Sequence, residues 1–227
     1  MTQLRQMVLD ELQRRNYAEI TIRNYLRILD DFAGYFDQPI EKLGPNHIRA
    51  YQAHLFRDRK LASKTVRQHV AALRFVYVKT LNRQYMLDYI PFPKEERRLP
   101  IVLSQEEVAR LIEASGSLMH RAMLMTLYST GVRRTEAANL KVADIDSKRM
   151  VVHIRQGKGR RDRDIPLSPK LLEVLREYWR WMRPKTYLFP GTRKGWRADV
   201  PITPKMMWGG CREAAVRAGL DSRISPH

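Results

Sequence analysis

The sequence is poor in cysteine and has no recognisable set of metal ligands. Cys211 is the only cysteine among 227 residues, which excludes an intrachain disulfide and a cysteine-based zinc cluster. The six histidines include no H-x-x-x-H pair that would place two imidazoles on one face of a helix. The composition therefore predicts a protein without a bound metal.

Long hydrophobic runs are also absent. The first fifteen residues, MTQLRQMVLDELQRR, carry charges throughout and lack the apolar run of a signal peptide. The most apolar stretch, AMLMTLY at residues 122–128, is far too short to cross a bilayer. These absences predict a cytoplasmic protein with no membrane partner.

Acidic residues are scarce relative to basic ones. There are 42 lysines and arginines against 24 acids, so the net charge is +18 and the pI is near 10.4. Such a charge favours a polyanionic partner, most commonly a nucleic acid. An anionic membrane surface and a ribosomal role are the lesser alternatives. Because 44% of the residues are hydrophobic, the chain is a globular protein and not a basic disordered tail.

The first part of the chain, residues 1–88, has the pattern of a small helical domain. Apolar residues recur at helical spacing in four segments separated by basic connectors. Thr21 is a candidate cap for the second helix, Pro45 suits the start of the third, and Ser63 is a candidate cap for the fourth. With 15 basic and 9 acidic residues, this domain has a net charge of +6.

Residues 89–103 are predicted to be a linker, since three prolines within ten residues favour an extended tether. A second domain is predicted over residues 104–227. It begins with the capping-box pattern of Ser104 and Glu107, and a nearly apolar helix over residues 118–128 indicates a central position in its core.

The pattern of the second domain then changes from helix to strand. A β-rich run at residues 151–154, a Gly-Lys-Gly turn and a short strand ending at Leu167 predict a hairpin with a basic tip. Ser168 and Thr203, each followed by proline, predict the starts of two further helices. The expected fold is mainly α-helical, with a four-helix N-terminal domain and a mixed α/β second domain that contains a small β-hairpin or sheet.

The stretch LYSTGVRRTEAANL, residues 127–140, contains the first candidate site. Gly131 suits a helix end because glycine tolerates positive φ, and Arg133 follows it on a turn that can approach a ligand. Arginine binds a phosphate through two parallel hydrogen bonds and stays charged at any relevant pH. Glu136 is spaced to brace that guanidinium or a neighbouring one. The alternative is a solvated turn followed by a charged helix.

The hairpin tip is the second candidate site. Lys158 lies between two glycines, and a lysine that reaches a phosphodiester can donate a proton to a leaving oxygen. The alternative is an ordinary basic hairpin that rests on a DNA backbone. The candidate DNA-binding residues, in the hairpin and on the fourth predicted helix, are Arg155, Arg160, Arg161, Arg163, Lys64 and Arg67.

The pattern T-G-hydrophobic-R-x-x-E, a G-K-G turn about twenty residues later and a strand ending in I-P-L resembles the tyrosine recombinase (phage integrase) family. The terminal SPH is similar to the start of the family's H-x-L-R-H segment. The layout is most similar to that of Xer-like and integron or phage integrases. By pattern, the N-terminal helices resemble the family's core-binding, SAM-like domain, and the second domain resembles its catalytic domain.

The resemblance implies a role for each matching residue. Arg133 corresponds to the first catalytic arginine, which neutralises the scissile phosphate, and Glu136 to the acid that orients the site. Lys158 corresponds to the lysine that protonates the leaving 5′-oxygen, and His227 to the histidine that hydrogen-bonds the phosphate or assists proton transfer. The family requires no metal or nucleotide cofactor. Its partners are duplex DNA and other recombinase protomers, which assemble as tetramers in intact members.

The chain departs from the family pattern after His227. The family continues with a second catalytic arginine and the tyrosine nucleophile of a DNA strand transferase that cuts and rejoins strands through a 3′-phosphotyrosine. Neither residue is present here, and Tyr178 is expected in the core instead. The sequence thus predicts a C-terminally truncated catalytic domain that binds DNA without cleaving it. A non-enzymatic DNA-binding protein that inhibits an intact relative and a basic RNA-binding protein remain alternatives.

Overall fold

The computed structural model describes residues 3–95, 101–155, 157, 161–191, 199–221 and 224–226. The chain divides into two compact units, which lie within residues 1–99 and 100–227. The architecture is mostly α-helical with one small antiparallel sheet, as the sequence predicts.

The described part of the N-terminal unit contains the four predicted α-helices. The last of them continues directly into a π-helical segment, and short 3₁₀ segments follow the second helix and this segment. The bounds are α1 (Gln3–Arg14), α2 (Glu19–Phe36), α3 (Pro45–Arg57) and α4 (Ser63–Arg74), with the π-helical segment at Phe75–Thr80 and the 3₁₀ segments at Ile40–Lys42 and Gln84–Tyr89.

Two of the predicted helix caps in this unit are wrong. α2 begins at Glu19, two residues before Thr21, because the carbonyl of Ala18 already accepts the backbone N–H of Thr21 at 2.8 Å. Ser63 is the first residue of α4, and the cap position before it is Ala62. In both cases the cap position is an alanine, whose side chain accepts no hydrogen bond. A serine or threonine near the helix start therefore does not identify the cap residue.

The core of the N-terminal unit is built around aromatic side chains from α2, α3 and the π-helical segment. Phe32 and Tyr51 meet edge to face at 4.9 Å between ring centroids. The buried Tyr77 hydroxyl donates to the carbonyl oxygens of Ile40 at 3.1 Å and Leu43 at 2.9 Å. These bonds tie the connector between α2 and α3 to the core.

The described part of the C-terminal unit contains five α-helices, of which α6 is central. α6 packs against α5, α7, α8 and α9, which confirms the prediction from its apolar sequence. The capping box of Ser104 and Glu107 is present, and Ser168 and Thr203 cap their helices as predicted. The bounds are α5 (Gln105–Glu113), α6 (Leu118–Thr130), α7 (Arg134–Asn139), α8 (Pro169–Met182) and α9 (Pro204–Arg217).

The predicted hairpin belongs to a three-stranded antiparallel sheet. Its strands are β1 (Ile145–Asp146), β2 (Val151–Ile154) and β3 (Arg163–Pro166), in the order β1-β2-β3. Val152 and Ile154 are buried and attach the sheet to the helices. The sheet therefore fixes the start of β3, at Arg163, close to the helical core.

Tyr178 lies in this core, as predicted. It is 1% exposed, and its hydroxyl donates to the carbonyl oxygen of Leu188 at 2.9 Å. Burial raises the pKa of the phenol well above its usual range. None of the described helices is long and apolar enough to span a membrane.

Candidate functional site

The turn after α6 positions Arg133. Gly131 ends the helix with φ 61°, in the left-handed region that favours glycine, and its N–H donates to the Leu127 carbonyl at 3.0 Å. Val132 is fully buried and anchors the turn. Arg133 follows at the cap position of α7 with a side chain that is 51% exposed, so its guanidinium is available to a ligand.

A single buried carboxylate, that of Glu136, binds two arginines. Its side chain is 6% exposed. Its Oε2 atom accepts the Arg133 backbone N–H at 2.9 Å, and its Oε1 atom lies 3.1 Å from the Arg133 guanidinium. The Arg163 guanidinium donates to the same two oxygens at 2.6 and 3.2 Å. The bracing of Arg133 predicted from the spacing is therefore present, and Arg163 shares it.

The shared carboxylate joins the turn after α6 to the sheet. Arg163 opens β3, whereas Glu136 lies on α7. The hydrogen bond to Glu136 raises the pKa of the Arg163 guanidinium above its ordinary value. Arg163 therefore stays charged and holds the base of the hairpin beside Arg133.

Gly157 is tightly packed against the ion pair of Glu136 and Arg163. A Cβ atom there would lie 2.5 Å from a guanidinium nitrogen of Arg163 and 3.0 Å from Oε1 of Glu136. Its N–H donates to the carbonyl oxygen of Arg161 at 3.1 Å. The absent side chain lets the hairpin backbone lie directly against the ion pair.

A second buried acid holds a third arginine. The Asp144 side chain is 5% exposed, and its Oδ1 atom accepts the Nε–H of Arg155 at 2.8 Å. Its Oδ2 atom accepts the backbone N–H of Lys141 at 2.9 Å. The Arg155 side chain remains 66% exposed, so this arrangement repeats the one at Glu136, with a buried acid beneath an outward-facing cation.

Apart from Arg163, these groups line one open groove in the C-terminal unit. Its volume is about 750 Å³. Three cationic side chains and several polar groups surround it, which suits an anionic ligand with more than one charge. The lining residues are Arg133, Thr135, Glu136, Asn139, Leu140, Lys141, Asp144, Ile154, Arg155, Gly157 and Tyr187.

The remaining predicted site residues fall into two groups. Lys158, Arg160 and His227 lie outside the described residues, so their predicted roles stay predictions. Arg161 and Lys64 are exposed.

Arg67 is only partly exposed on α4, and it contacts the chain that follows the N-terminal helices. Its predicted role in DNA binding stays a prediction.

Sequence reasoning missed Asp144, Lys141 and Tyr187. Asp144 precedes the strand β1, and only the spacing of an acid three residues after Lys141, typical of a capped turn, could have pointed to it. Tyr187 reaches the groove because its backbone pairs with that of Lys141. This non-local pairing has no signal in the local pattern.

Within the described residues, no group of three or more histidine, cysteine or acidic side chains could hold a metal ion. Cys211 is buried, and burial raises the pKa of its thiol to about 11. The thiol is therefore protonated at neutral pH and is not a reactive thiolate.

Comparison with known families places the chain in one of them. Residues 102–227 match the phage integrase family, and residues 4–87 match the N-terminal SAM-like domain of phage integrases. The two matches cover both structural units. The chain therefore belongs to the phage integrase, or tyrosine recombinase, family.

Similar curated proteins carry the same description. The chain is 43% identical over 228 residues to the putative integrase/recombinase y4qK of Sinorhizobium fredii, covering 100% of this chain and 73% of that protein. It is 30% identical to the tyrosine recombinase XerA of Pyrococcus furiosus, covering 92% of this chain and 78% of that protein.

Solved structures show the same fold at low sequence identity. A lambda integrase dimer bound to a COC′ core site matches with a TM-score of 0.72 and 16% identity, covering 98% of this chain and 82% of that one. The Tn1549 transposon integrase in complex with transposon right end DNA matches with a TM-score of 0.67 and 17% identity, covering 100% and 83%.

The packing at Gly157 gives a testable prediction. Gly157→Ala should lower the free energy of unfolding of the C-terminal unit by about 1–3 kcal/mol, because the added methyl group displaces Arg163 or the hairpin. Urea unfolding followed by tryptophan fluorescence measures this, since all four tryptophans lie in the C-terminal half of the chain.

The matched control is Gly209→Ala in α9. A Cβ atom there meets nothing within 4 Å, so alanine should stabilise the helix by up to about 1 kcal/mol. Equal changes in the two variants would show that Gly157 is not held against the ion pair.

Proposed function

We propose that this chain binds duplex DNA and takes part in site-specific DNA recombination or integration. The C-terminal groove receives the phosphate backbone, with Arg133 at the scissile phosphate and Arg155 on the backbone nearby. Lys158 and His227 complete the catalytic set together with Glu136. Other recombinase protomers bound to the same DNA are the protein partners.

The observation that carries this proposal is the repeated pairing of a buried acid with an outward-facing arginine. Glu136 and Asp144 are almost inaccessible, whereas Arg133 and Arg155 are 51% and 66% exposed. A surface arginine without a partner has many side-chain conformations, but these two guanidinium groups are each bound by a buried carboxylate. An arginine that is already held in one conformation loses less conformational entropy when it binds a phosphate. Its N–H groups are also already positioned to make two parallel hydrogen bonds.

The charge of both units supports a partner as extended as duplex DNA. Residues 1–88 alone have a net charge of +6, and the whole chain has +18. A solved relative of the same fold, the lambda integrase, is bound to a core site as a dimer and to a Holliday junction as a tetramer. These complexes support both DNA and further protomers as partners here.

The first test is binding to duplex DNA as a function of salt. If binding involves 6–10 phosphates, affinity should fall by about 10³–10⁵ between 50 and 200 mM salt. Band shifts with duplex DNA and with structured RNA of equal length measure this, and duplex DNA should be preferred. A flat salt dependence or a preference for RNA would contradict the proposal, and the latter would favour an RNA-binding protein.

Arg133→Ala should weaken duplex binding and reduce the slope of log affinity against log salt by about 1, because one phosphate contact is lost. Arg121→Ala is the matched control, since Arg121 is an exposed arginine of α6 that does not line the groove. Equal effects of the two substitutions would show that the groove is not the phosphate site.

Covalent chemistry requires a nucleophile in line with the phosphate. In the family the nucleophile lies beyond the position of His227, outside residues 1–227, and the buried Tyr178 cannot reach DNA. A polypeptide of residues 1–227 should therefore bind DNA without forming a covalent adduct. It should act as a DNA-binding protein that can occupy the site of an intact recombinase.

Incubation with nicked duplexes that trap a phosphotyrosine, followed by a denaturing gel, tests this prediction. We expect the protein to migrate at its unmodified mass. A band of protein joined to DNA would identify a tyrosine within residues 1–227 as the nucleophile, and Tyr128→Phe and Tyr187→Phe would then locate it.

A further inference from the structure

The chain that leaves the N-terminal helices is bound to them over several residues. We call residues 90–95 the strap. It begins at Ile90, which is fully buried in the N-terminal core. The Nε–H of Arg74 donates to the Ile90 carbonyl at 2.7 Å, and its guanidinium also reaches the Leu87 carbonyl at 3.4 Å. The start of the strap is therefore part of the N-terminal unit.

The next residues of the strap are held by side chains of α3 and α4. Gln52 donates to the carbonyl oxygen of Pro91 at 3.2 Å. Arg67 donates to the carbonyl oxygen of Pro93 at 3.3 Å, and its Nε atom lies 3.9 Å from the Glu95 carboxylate. The contacts thus extend along the strap to Glu95.

Phe92 lies against the guanidinium groups of two arginines. Its ring centroid is 4.4 Å from Cζ of Arg74 and 4.9 Å from Cζ of Arg67. Each distance is within the range of a cation–π interaction. The ring therefore joins the two arginines that also bind the strap backbone.

The strap loses little conformational freedom when it binds. Pro91 and Pro93 have fixed φ angles and no N–H group, so few backbone states are lost and no amide proton is left without a partner at these positions. Arg67, which the sequence predicts to contact DNA, directs its guanidinium to a carbonyl, a ring and a carboxylate of the strap.

We propose that Arg67 and Arg74 anchor the strap and do not contact DNA phosphates, and that the anchored strap shortens the tether between the two DNA-binding units. This inference rests on the proposed function, because a tether matters only if both units bind the same DNA. Lys64, exposed on the same helix, remains a phosphate contact.

The shorter tether has a calculable effect. Without the strap contacts, twelve residues, 91–102, would connect the buried Ile90 to Leu103, which packs on the C-terminal unit. With the strap held as far as Glu95, seven residues, 96–102, connect the two anchored ends. For a tether that spans both sites, effective concentration falls roughly as the −3/2 power of its length, so the anchored strap raises it about twofold.

The strap itself is tested without DNA by limited trypsin digestion. Cleavage after Lys94, identified by mass spectrometry, should be faster by a factor of about 5–30 in Phe92→Ala, because two cation–π contacts are lost. Phe56→Ala is the matched control, since Phe56 is a similarly exposed phenylalanine of α3 without these contacts. Equal cleavage rates in the wild type and Phe92→Ala would show that Phe92 does not hold the strap and would overturn the proposal.

The role of the arginines is tested by the salt dependence of duplex DNA binding. Arg67→Gln should leave the slope of log affinity against log salt unchanged, whereas Lys64→Gln should reduce it by about 1. A variant with Arg67→Gln, Arg74→Gln and Phe92→Ala should bind about twofold more weakly with an unchanged slope. A slope reduced by about 1 in Arg67→Gln would show that Arg67 contacts DNA and would overturn the proposal.

The two kinds of failure are distinguishable. If the wild-type chain does not bind duplex DNA, the proposed function fails, while the trypsin experiment still reports on the strap. If the wild type binds DNA and Phe92→Ala leaves cleavage after Lys94 unchanged, the strap alone is refuted.

Discussion

The buried carboxylate of Glu136 is the interaction on which the candidate site depends. A buried negative charge is costly unless cations and hydrogen-bond donors surround it. Here Arg133 contributes a backbone N–H and a guanidinium, and Arg163 contributes two guanidinium nitrogens. One acid therefore fixes the turn after α6, the first turn of α7 and the start of β3 in a single arrangement.

This arrangement explains how several positive side chains can face outward close together. Each is hydrogen-bonded to a buried carboxylate that offsets the repulsion between them. Two arginines share Glu136, so the cluster keeps a net positive charge that a phosphate can neutralise. Asp144 holds Arg155 in the same way in the same groove. The same geometry favours glycine at position 157, because a Cβ atom there would lie too close to the guanidinium of Arg163 and the carboxylate of Glu136. The geometry of the groove thus rests on two buried acids as much as on the basic residues that the motif emphasises.

Local patterns in the sequence predicted the local features of the structure. The apolar periodicity of α6, the capping box of Ser104 and the pairing of Arg133 with Glu136 all lie within a few residues, where spacing determines geometry. The pairing of Glu136 with Arg163 spans 27 residues and depends on how the sheet packs on α7, which no spacing reveals. Thr21 failed as a cap because α2 starts without a side-chain acceptor: the Ala18 carbonyl already accepts the backbone N–H groups of Thr21 and Ile22.

The central proposal is that Glu136 holds the Arg133 side chain in position to bind a DNA phosphate. A double-mutant cycle tests it most directly. Duplex DNA affinity should be measured for Arg133→Ala, Glu136→Gln and the double variant. We predict that the double variant binds no more weakly than Arg133→Ala, with a coupling energy of about 0.5–3 kcal/mol, as for residues in one network. Losses that add within about 0.5 kcal/mol would contradict the account.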